Sequence, residues 1–329
     1  MHANQPELAE IESAAAIVHA AMPPTPQYCW PLLCERAGCE LWVKHENHTP
    51  AGAFKIRGGL VYFSRMAQSN EARAVIAATR GNHGQSVAIG AKRSGLHATL
   101  VVPHGNSVEK NAAMRSFGAE LIEYGDDFQA ALEHAQALAA QRGLVMVPSF
   151  HPLLVAGVAS YGLELFRAVQ AVDAIYVPIG LGSGVCATIA VRDALGLSTE
   201  VVGVVSAHAR AYAESFARGV PVDSPVSTLL ADGMACRTPN ADALEVIWRG
   251  VDRVVEVTDD EVASAMRAIF ECTHNVAEGA GAAPYAAVVR ERERLRGKRV
   301  AIVLSGGNVD REVFAGVIAG GDREPRGVA

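Results

Sequence analysis

Lys55 has the clearest potential for chemistry in this sequence. It lies in residues 47–59, which read Asn-His-Thr-Pro-Ala-Gly-Ala-Phe-Lys-Ile-Arg-Gly-Gly, so most of its neighbours are small or apolar. A lysine amine becomes a nucleophile towards carbonyl compounds when desolvation or a neighbouring positive charge lowers its pKa, and Arg57 is a candidate for that charge. A lysine at a helix N-terminus that pairs with a solvent carboxylate fits the segment equally well.

A second candidate segment is 79–84, Thr-Arg-Gly-Asn-His-Gly, which falls between a predicted strand and a predicted helix. Backbone N–H groups at a helix N-terminus, together with the Thr79 hydroxyl and the Asn82 amide, can hold a carboxylate. A glycine turn with Asn82 as helix N-cap explains the same residues without a ligand.

Two further loops follow predicted strands. Residues 178–185, Pro-Ile-Gly-Leu-Gly-Ser-Gly-Val, let backbone N–H groups approach a phosphate closely. Their spacing is not that of a dinucleotide or nucleoside triphosphate site, which favours a monophosphate, although a tight turn without ligand is the alternative. In residues 304–310, Leu-Ser-Gly-Gly-Asn-Val-Asp, the hydroxyl of Ser305 is expected at the carboxyl end of a strand, where open α/β folds bind ligands.

Short apolar runs alternate with helical patterns along the whole chain, which predicts an α/β fold with open twisted, mostly parallel sheets flanked by helices. We expect two domains: a large one formed by residues 1–68 and 150–329, and a small one formed by residues 69–149. The predicted strands are 40–44, 74–78, 98–103, 121–124, 144–147, 174–178, 200–205, 253–257 and 299–304.

Composition narrows the function. The formal charge of −6 and the absence of a basic stripe argue against nucleic-acid binding. No apolar run reaches about 18 residues and no signal-peptide pattern is present, so we expect a cytoplasmic protein without a membrane span. The six cysteines form no CxxC pair, as expected for reduced thiols.

Segments 52–58, 81–85, 180–184 and 305–308 together resemble the threonine/serine dehydratase and serine racemase family, pyridoxal phosphate enzymes of the tryptophan synthase β-subunit fold (fold type II). The similarity runs from about residue 11 to residue 317, with the four motifs in family order. The resemblance implies a homodimer that acts on a small amino acid.

The resemblance also implies a role for each matching residue. Lys55 would hold pyridoxal 5'-phosphate as an internal aldimine, with Phe54 beside it. Asn82 would contact the ring hydroxyl and Ser305 the pyridine nitrogen. The phosphate would be held by Gly180, Leu181, Gly182, Ser183 and Gly184, and the substrate carboxylate by Thr79, Gly81 and His83, with Asn82 and Arg80 also in the substrate loop.

A serine partner cannot enforce a protonated pyridinium, which favours prompt β-elimination over transamination. We therefore predict a dehydratase that converts a β-hydroxy-L-amino acid to a 2-keto acid and ammonia. The alternatives are a racemase or hydroxyaspartate dehydratase of the same family, β-replacement on the same cofactor, and a non-catalytic module that binds a phosphate compound.

Three positions depart from the family pattern. Arg80 replaces a small residue that serves as the second base in serine racemase, which argues against racemisation and makes Arg80 a catalytic or specificity candidate. Ala53 replaces a serine and predicts a larger pocket, so β-phenylserine is slightly favoured over β-hydroxyaspartate. Ser206 stands where the family has a metal-binding glutamate, so no metal site is predicted.

Overall fold

The chain folds around two separate β-sheets. The computed structural model describes residues 5–69 and 73–320; residues 1–4, 70–72 and 321–329 of the predicted domains lie outside the described residues. The strands are β1 (Gln27–Cys29), β2 (Glu40–His45), β3 (Ala74–Ala78), β4 (His97–Val102), β5 (Glu120–Glu123), β6 (Val145–Met146), β7 (Ala174–Pro178), β8 (Glu200–Ser206), β9 (Arg253–Val257) and β10 (Arg299–Leu304). The predicted α/β class with mostly parallel sheets is confirmed.

Helices connect almost every pair of strands. They are α1 (Leu8–His19), α2 (Pro31–Ala37), α3 (Lys55–Ser69), α4 (Asn82–Arg93), α5 (Val108–Ser116), α6 (Phe128–Arg142), α7 (Pro152–Ala168), α8 (Ser183–Ala194), α9 (Ala211–Arg218), α10 (Ala241–Gly250), α11 (Asp259–Thr273), α12 (Gly279–Arg290) and α13 (Arg311–Ala319). Two 3₁₀ turns, Glu46–His48 and Asp232–Met234, lie in loops.

The larger sheet has the strand order β1-β2-β10-β7-β8-β9, and only β1 is antiparallel to its neighbour. Its two faces are both buried, one under α1, α7, α8 and α10 and the other under α2, α11 and α12. Burial on both faces explains why its central strands read as continuous apolar runs. The edge strand β1 was not predicted, because three residues after a run of prolines are too few to show an alternating pattern.

The smaller sheet is all parallel, in the order β5-β4-β3-β6. Helices α3, α4 and α5 pack on one face and α6 on the other. All its strands fall between residues 74 and 146, and those of the larger sheet fall outside that stretch. The division into domains at residues 68/69 and 149/150 stays a prediction.

A buried charge network anchors the start of α3. The guanidinium of Arg57, 0% exposed, donates to Glu46 Oε2 at 2.6 Å and to Glu164 Oε1 at 2.7 Å. Lys44 adds a second cation through Nζ at 2.6 Å from Glu164 Oε2, and Thr25 donates to Glu46 Oε1 at 2.6 Å. Because α3, α7 and β2 all contribute to these contacts, the network holds the helix that begins at Lys55 against the larger sheet.

Candidate active site

The loop before Lys55 is joined to the loop after β10 by backbone hydrogen bonds. Phe54 N donates to Ser305 O at 3.0 Å, and Gly307 N donates to Gly52 O at 2.9 Å. Gly52 has a φ of 66°, a left-handed conformation that favours glycine, and a Cβ there would lie 2.4 Å from Asn308 Oδ1. The structure thus brings two of the sequence motifs, more than 250 residues apart, into direct contact.

The amine of Lys55 lies at the start of α3, in a setting that disfavours its charge. Nζ donates to Ser183 Oγ at 2.9 Å and lies 5.0 Å from the centre of the Phe54 ring. Burial lowers the pKa of Lys55 to about 8, so a substantial fraction is neutral near physiological pH. The expectation that Arg57 lowers this pKa was wrong, because its guanidinium is engaged with Glu46 and Glu164.

The glycine loop between β7 and α8 is held from behind by two tyrosines. Tyr212 donates to Leu181 O at 3.0 Å, and Tyr161 donates to Gly184 O at 2.8 Å. In a trans peptide unit the next residue's N–H points opposite to the carbonyl, so these bonds turn the N–H groups of Gly182 and of the residue after Gly184 away from the tyrosines. Sequence reasoning missed both tyrosines, since neither is near the loop in the chain.

The same loop ends in an uncapped helix N-terminus. Helix α8 begins at Ser183, three residues before its predicted start at 186, and its N-cap Gly182 makes no side-chain capping bond. The first-turn N–H groups of a helix have no carbonyl within the helix to bond, and the helix dipole adds partial positive charge there. The loop is therefore suited to bind an anion.

The turn between β3 and α4 carries the predicted carboxylate loop. Thr79 Oγ1 accepts hydrogen bonds from the N–H groups of Gly81 and Gly84, at 3.0 and 2.9 Å, so its oxygen shapes the turn. Burial, assisted by the charge of Lys55, lowers the pKa of His83 to about 3, which keeps its imidazole neutral. His83 Nε2 is buried without a hydrogen-bond partner in the described part of the chain. Arg80 is exposed and makes no ion pair with any described residue.

A group of polar side chains that sequence reasoning did not select surrounds Asn82. Its Nδ2 donates to Glu278 Oε1 at 2.6 Å, and its Oδ1 accepts from Asn308 Nδ2 at 2.9 Å. Glu278 is 2% exposed and lies with Oε2 3.4 Å from Lys110 Nζ, which also pairs with Asp232 at 2.7 Å. A lone glutamate before the small residues that open α12 was the available signal.

Comparison with known proteins decides the family. The profile of the family described as "Pyridoxal-phosphate dependent enzyme" matches residues 19–306. The chain belongs to the pyridoxal-phosphate-dependent enzymes. The predicted family and cofactor are thereby confirmed.

The relatives narrow the reaction class. An L-threonine ammonia-lyase of Thermotoga maritima is 34% identical over 87% of this chain and 72% of that protein. An L-threo-3-hydroxyaspartate ammonia-lyase of Saccharomyces cerevisiae is 30% identical over 92% of this chain and 93% of that protein. A solved threonine deaminase, from the organism abbreviated T.th., has a TM-score of 0.85 at 30% identity, covering 93% of this chain and 99% of that one.

This chain spans about three fifths of the length of the biosynthetic threonine dehydratases that it matches. Its place among these proteins makes it a pyridoxal-phosphate-dependent lyase. No described helix has the length and apolarity needed to cross a membrane.

The residues of the site fit pyridoxal phosphate. The uncapped start of α8 suits the phosphate, and the partly buried Lys55 amine suits the aldehyde. The side chain of Ser305 is 3% exposed, and its hydroxyl has no hydrogen-bond partner among residues 5–69 and 73–320, so it is available to a ring nitrogen. Within those residues, no three His, Cys, Asp or Glu side chains are placed to hold a metal.

The depressed pKa of Lys55 predicts its reactivity. The neutral amine should predominate above about pH 8 and the ammonium below it, whereas an ordinary lysine titrates near 10.5. Competitive labelling with a trace of acetic anhydride across pH, read by mass spectrometry, measures the midpoint. The exposed Lys92 serves as the internal control in the same sample. A Lys55 midpoint equal to that of Lys92 would contradict the proposed desolvation.

Proposed function

We propose that this lyase removes water and ammonia from a β-hydroxy-L-amino acid and yields a 2-keto acid. The observation that carries the proposal is the placement of the Lys55 amine 2.9 Å from Ser183, at the uncapped start of α8. The ammonia-lyases among the relatives support the same reaction class. Pyridoxal phosphate, when bound, supplies the electron sink that acidifies the α-carbon of an amino acid.

The protein's own residues position the substrate and move its protons. Backbone N–H groups of the turn at residues 79–83 bind the substrate carboxylate, and the Thr79 hydroxyl keeps that turn in shape. The neutral amine of Lys55 takes the α-proton, and its low pKa keeps the amine competent at neutral pH. The neutral His83 adds no competing positive charge.

Elimination then proceeds with balanced atoms. The α-proton and the β-hydroxyl leave together as water, with a proton supplied to the hydroxyl by the Lys55 ammonium or another bound acid. The resulting enamine takes up water and releases ammonia, which leaves the 2-keto acid. Ser305, as a neutral partner, does not favour a long-lived carbanion, so loss of the β-substituent is favoured over slower outcomes.

The experiment that tests this function is a keto-acid assay over L-threonine, L-serine, β-phenylserine and β-hydroxyaspartate. We expect stoichiometric keto acid and ammonia from at least one of them. Chiral analysis of the remaining amino acid detects racemisation. A protein that binds pyridoxal phosphate but yields only racemised substrate, or no product, would overturn the proposal.

The substrate preference should depend on Arg80. Ala53 is 1% exposed and lies against Gly306, so its small size does not by itself open the pocket towards an aromatic substrate. The exposed guanidinium of Arg80 instead gives the substrate loop a cation that is free of described ion pairs. We therefore propose that a second carboxylate, as in β-hydroxyaspartate, is favoured over the aromatic ring of β-phenylserine.

Replacing Arg80 with alanine should lower kcat/KM for β-hydroxyaspartate about tenfold, because a charge-assisted hydrogen bond is lost. The value for L-threonine should change less than about twofold. Arg93→Ala, an exposed arginine at the far end of α4, is the matched control. An unchanged ranking of the four amino acids would reject a role for Arg80, and a selective loss on β-phenylserine would favour the aromatic substrate.

The proposed enzyme is a cytoplasmic homodimer. Both properties were predicted above, and both stay predictions. Analytical ultracentrifugation of the full chain measures its assembly.

A further inference from the structure

The side-chain amide of Asn82 is held at both ends by residues outside the four sequence motifs' assigned roles. Asn308 Nδ2 donates to Ala51 O at 2.8 Å as well as to Asn82 Oδ1 at 2.9 Å. Because a backbone carbonyl can only accept, the Ala51 contact fixes which end of the Asn308 amide is the donor. That donor in turn requires the oxygen of the Asn82 amide to face Asn308.

Glu278 imposes the same orientation from the other side. Its Oε1 accepts from Asn82 Nδ2 at 2.6 Å, and an ionised carboxylate can only accept. The second N–H of Asn82 Nδ2 then has no partner among the described residues. The amide therefore presents one donor, in one orientation, to a ligand.

We propose that Glu278 and Asn308 are positioning residues that hold Asn82 with one N–H directed to the ring hydroxyl of bound pyridoxal phosphate. The inference rests on the proposed function, in which Asn82 contacts that hydroxyl. Turning the amide by 180° would place an oxygen where the donor is needed, and would also set donor against donor at Asn308. The two partners remove that alternative before the cofactor binds, which lowers the ordering cost of binding.

The charge state of Glu278 is compatible with this role. Burial raises its pKa to about 6, and the nearby Asp232 also raises it, while the cation of Lys110 opposes both. The carboxylate is therefore ionised at neutral pH and acts as an acceptor. Lys110 from α5 and Asp232 from the 3₁₀ turn are the charged groups that face it.

These contacts also join the two sheet regions. Asn82 and Lys110 belong to helices that cover the smaller sheet, whereas Glu278 begins α12 on the larger one. The orientation of Asn82 consequently depends on both regions being in contact. A change in Glu278 that acted only through Lys110 would be an ion-pair effect, and the experiment must separate it from an effect through Asn82.

The test is a double-mutant cycle on cofactor affinity, measured by titrating the full chain, stripped of cofactor, with pyridoxal phosphate and recording the visible absorption band. We expect Glu278→Ala and Asn308→Ala each to weaken binding about tenfold, as for a lost buried hydrogen bond. Neither should weaken binding further in an Asn82→Ala background, because both act through that amide. Glu278→Gln keeps an acceptor and should restore most of the affinity.

Asp232→Asn removes the other carboxylate from Lys110 without touching Asn82, and it should change affinity less than about twofold. Additive losses in the Asn82→Ala background would overturn the proposal, as would a Glu278→Gln variant as weak as Glu278→Ala. If Glu278→Ala does not fold, the Asn308→Ala and Glu278→Gln variants decide the question. Intact coupling without keto-acid formation would refute the proposed reaction and leave this inference standing, so the two failures are distinguishable.

Discussion

Replacing Lys55 with alanine should abolish keto-acid formation and the visible absorption band of the attached cofactor. The loss of a proton-transfer group alone costs about 10²–10⁴-fold in kcat, and the loss of the attachment point adds to it. The physical basis is the combination of an amine with a pKa near 8 and a neighbouring anion-binding helix start. Absorbance spectroscopy and the keto-acid assay measure the two effects.

A chemical mark identifies the lysine directly. Borohydride reduction of the wild-type protein with bound cofactor, followed by digestion and mass spectrometry, should place the cofactor on the peptide that contains Lys55. Lys92→Ala changes an exposed lysine on α4 and should leave both band and turnover intact. A Lys55→Ala protein that kept its band and its turnover would refute the assignment.

The second large effect concerns stability. Replacing Arg57 with methionine should lower the free energy of unfolding by about 3–5 kcal/mol, the usual cost of breaking a buried ion pair on one side. Glu46 and Glu164 would then be left in the interior with fewer partners, since Arg57 is 0% exposed and bonds to both. Urea denaturation followed by circular dichroism measures the change.

The same variant should alter the acid dependence of stability. Burial alone would raise the pKa of Glu164, but hydrogen bonds and charge from Arg57, with help from Lys44, lower it to about 2. A depressed carboxyl pKa stabilises the native state above its ordinary value of 4.5, and that stabilisation is lost as the pH falls towards 2. Arg57→Met should therefore flatten the stability profile over this range.

Arg65→Met is the matched control, because Arg65 lies on the same helix but is exposed and bonds only to Gln68 and Ser13. It should cost less than about 0.5 kcal/mol. A loss below about 1 kcal/mol for Arg57→Met would show that the buried network contributes little to stability.

The sequence alone determined the fold class and the chemical segments. Alternating apolar runs and helical patterns are local properties, and strands 74–78, 174–178, 253–257 and 299–304 were predicted at their observed bounds. Helix starts were less accurate: α8 begins at Ser183 because the glycine loop itself adopts the first helical turn. Glycine runs carry no hydrophobic period, so such a start cannot be read from the pattern.

Only the tertiary structure decided what each side chain contacts. Lys55 and Arg57 are two residues apart, yet one amine faces Ser183 and the other cation faces Glu46 and Glu164, because neighbouring positions on a helix point in different directions. Glu278 reaches Asn82 across 196 residues of chain. No local pattern encodes a contact between distant segments, since it exists only once both sheets are packed, and so the residues that orient this site emerged from the fold.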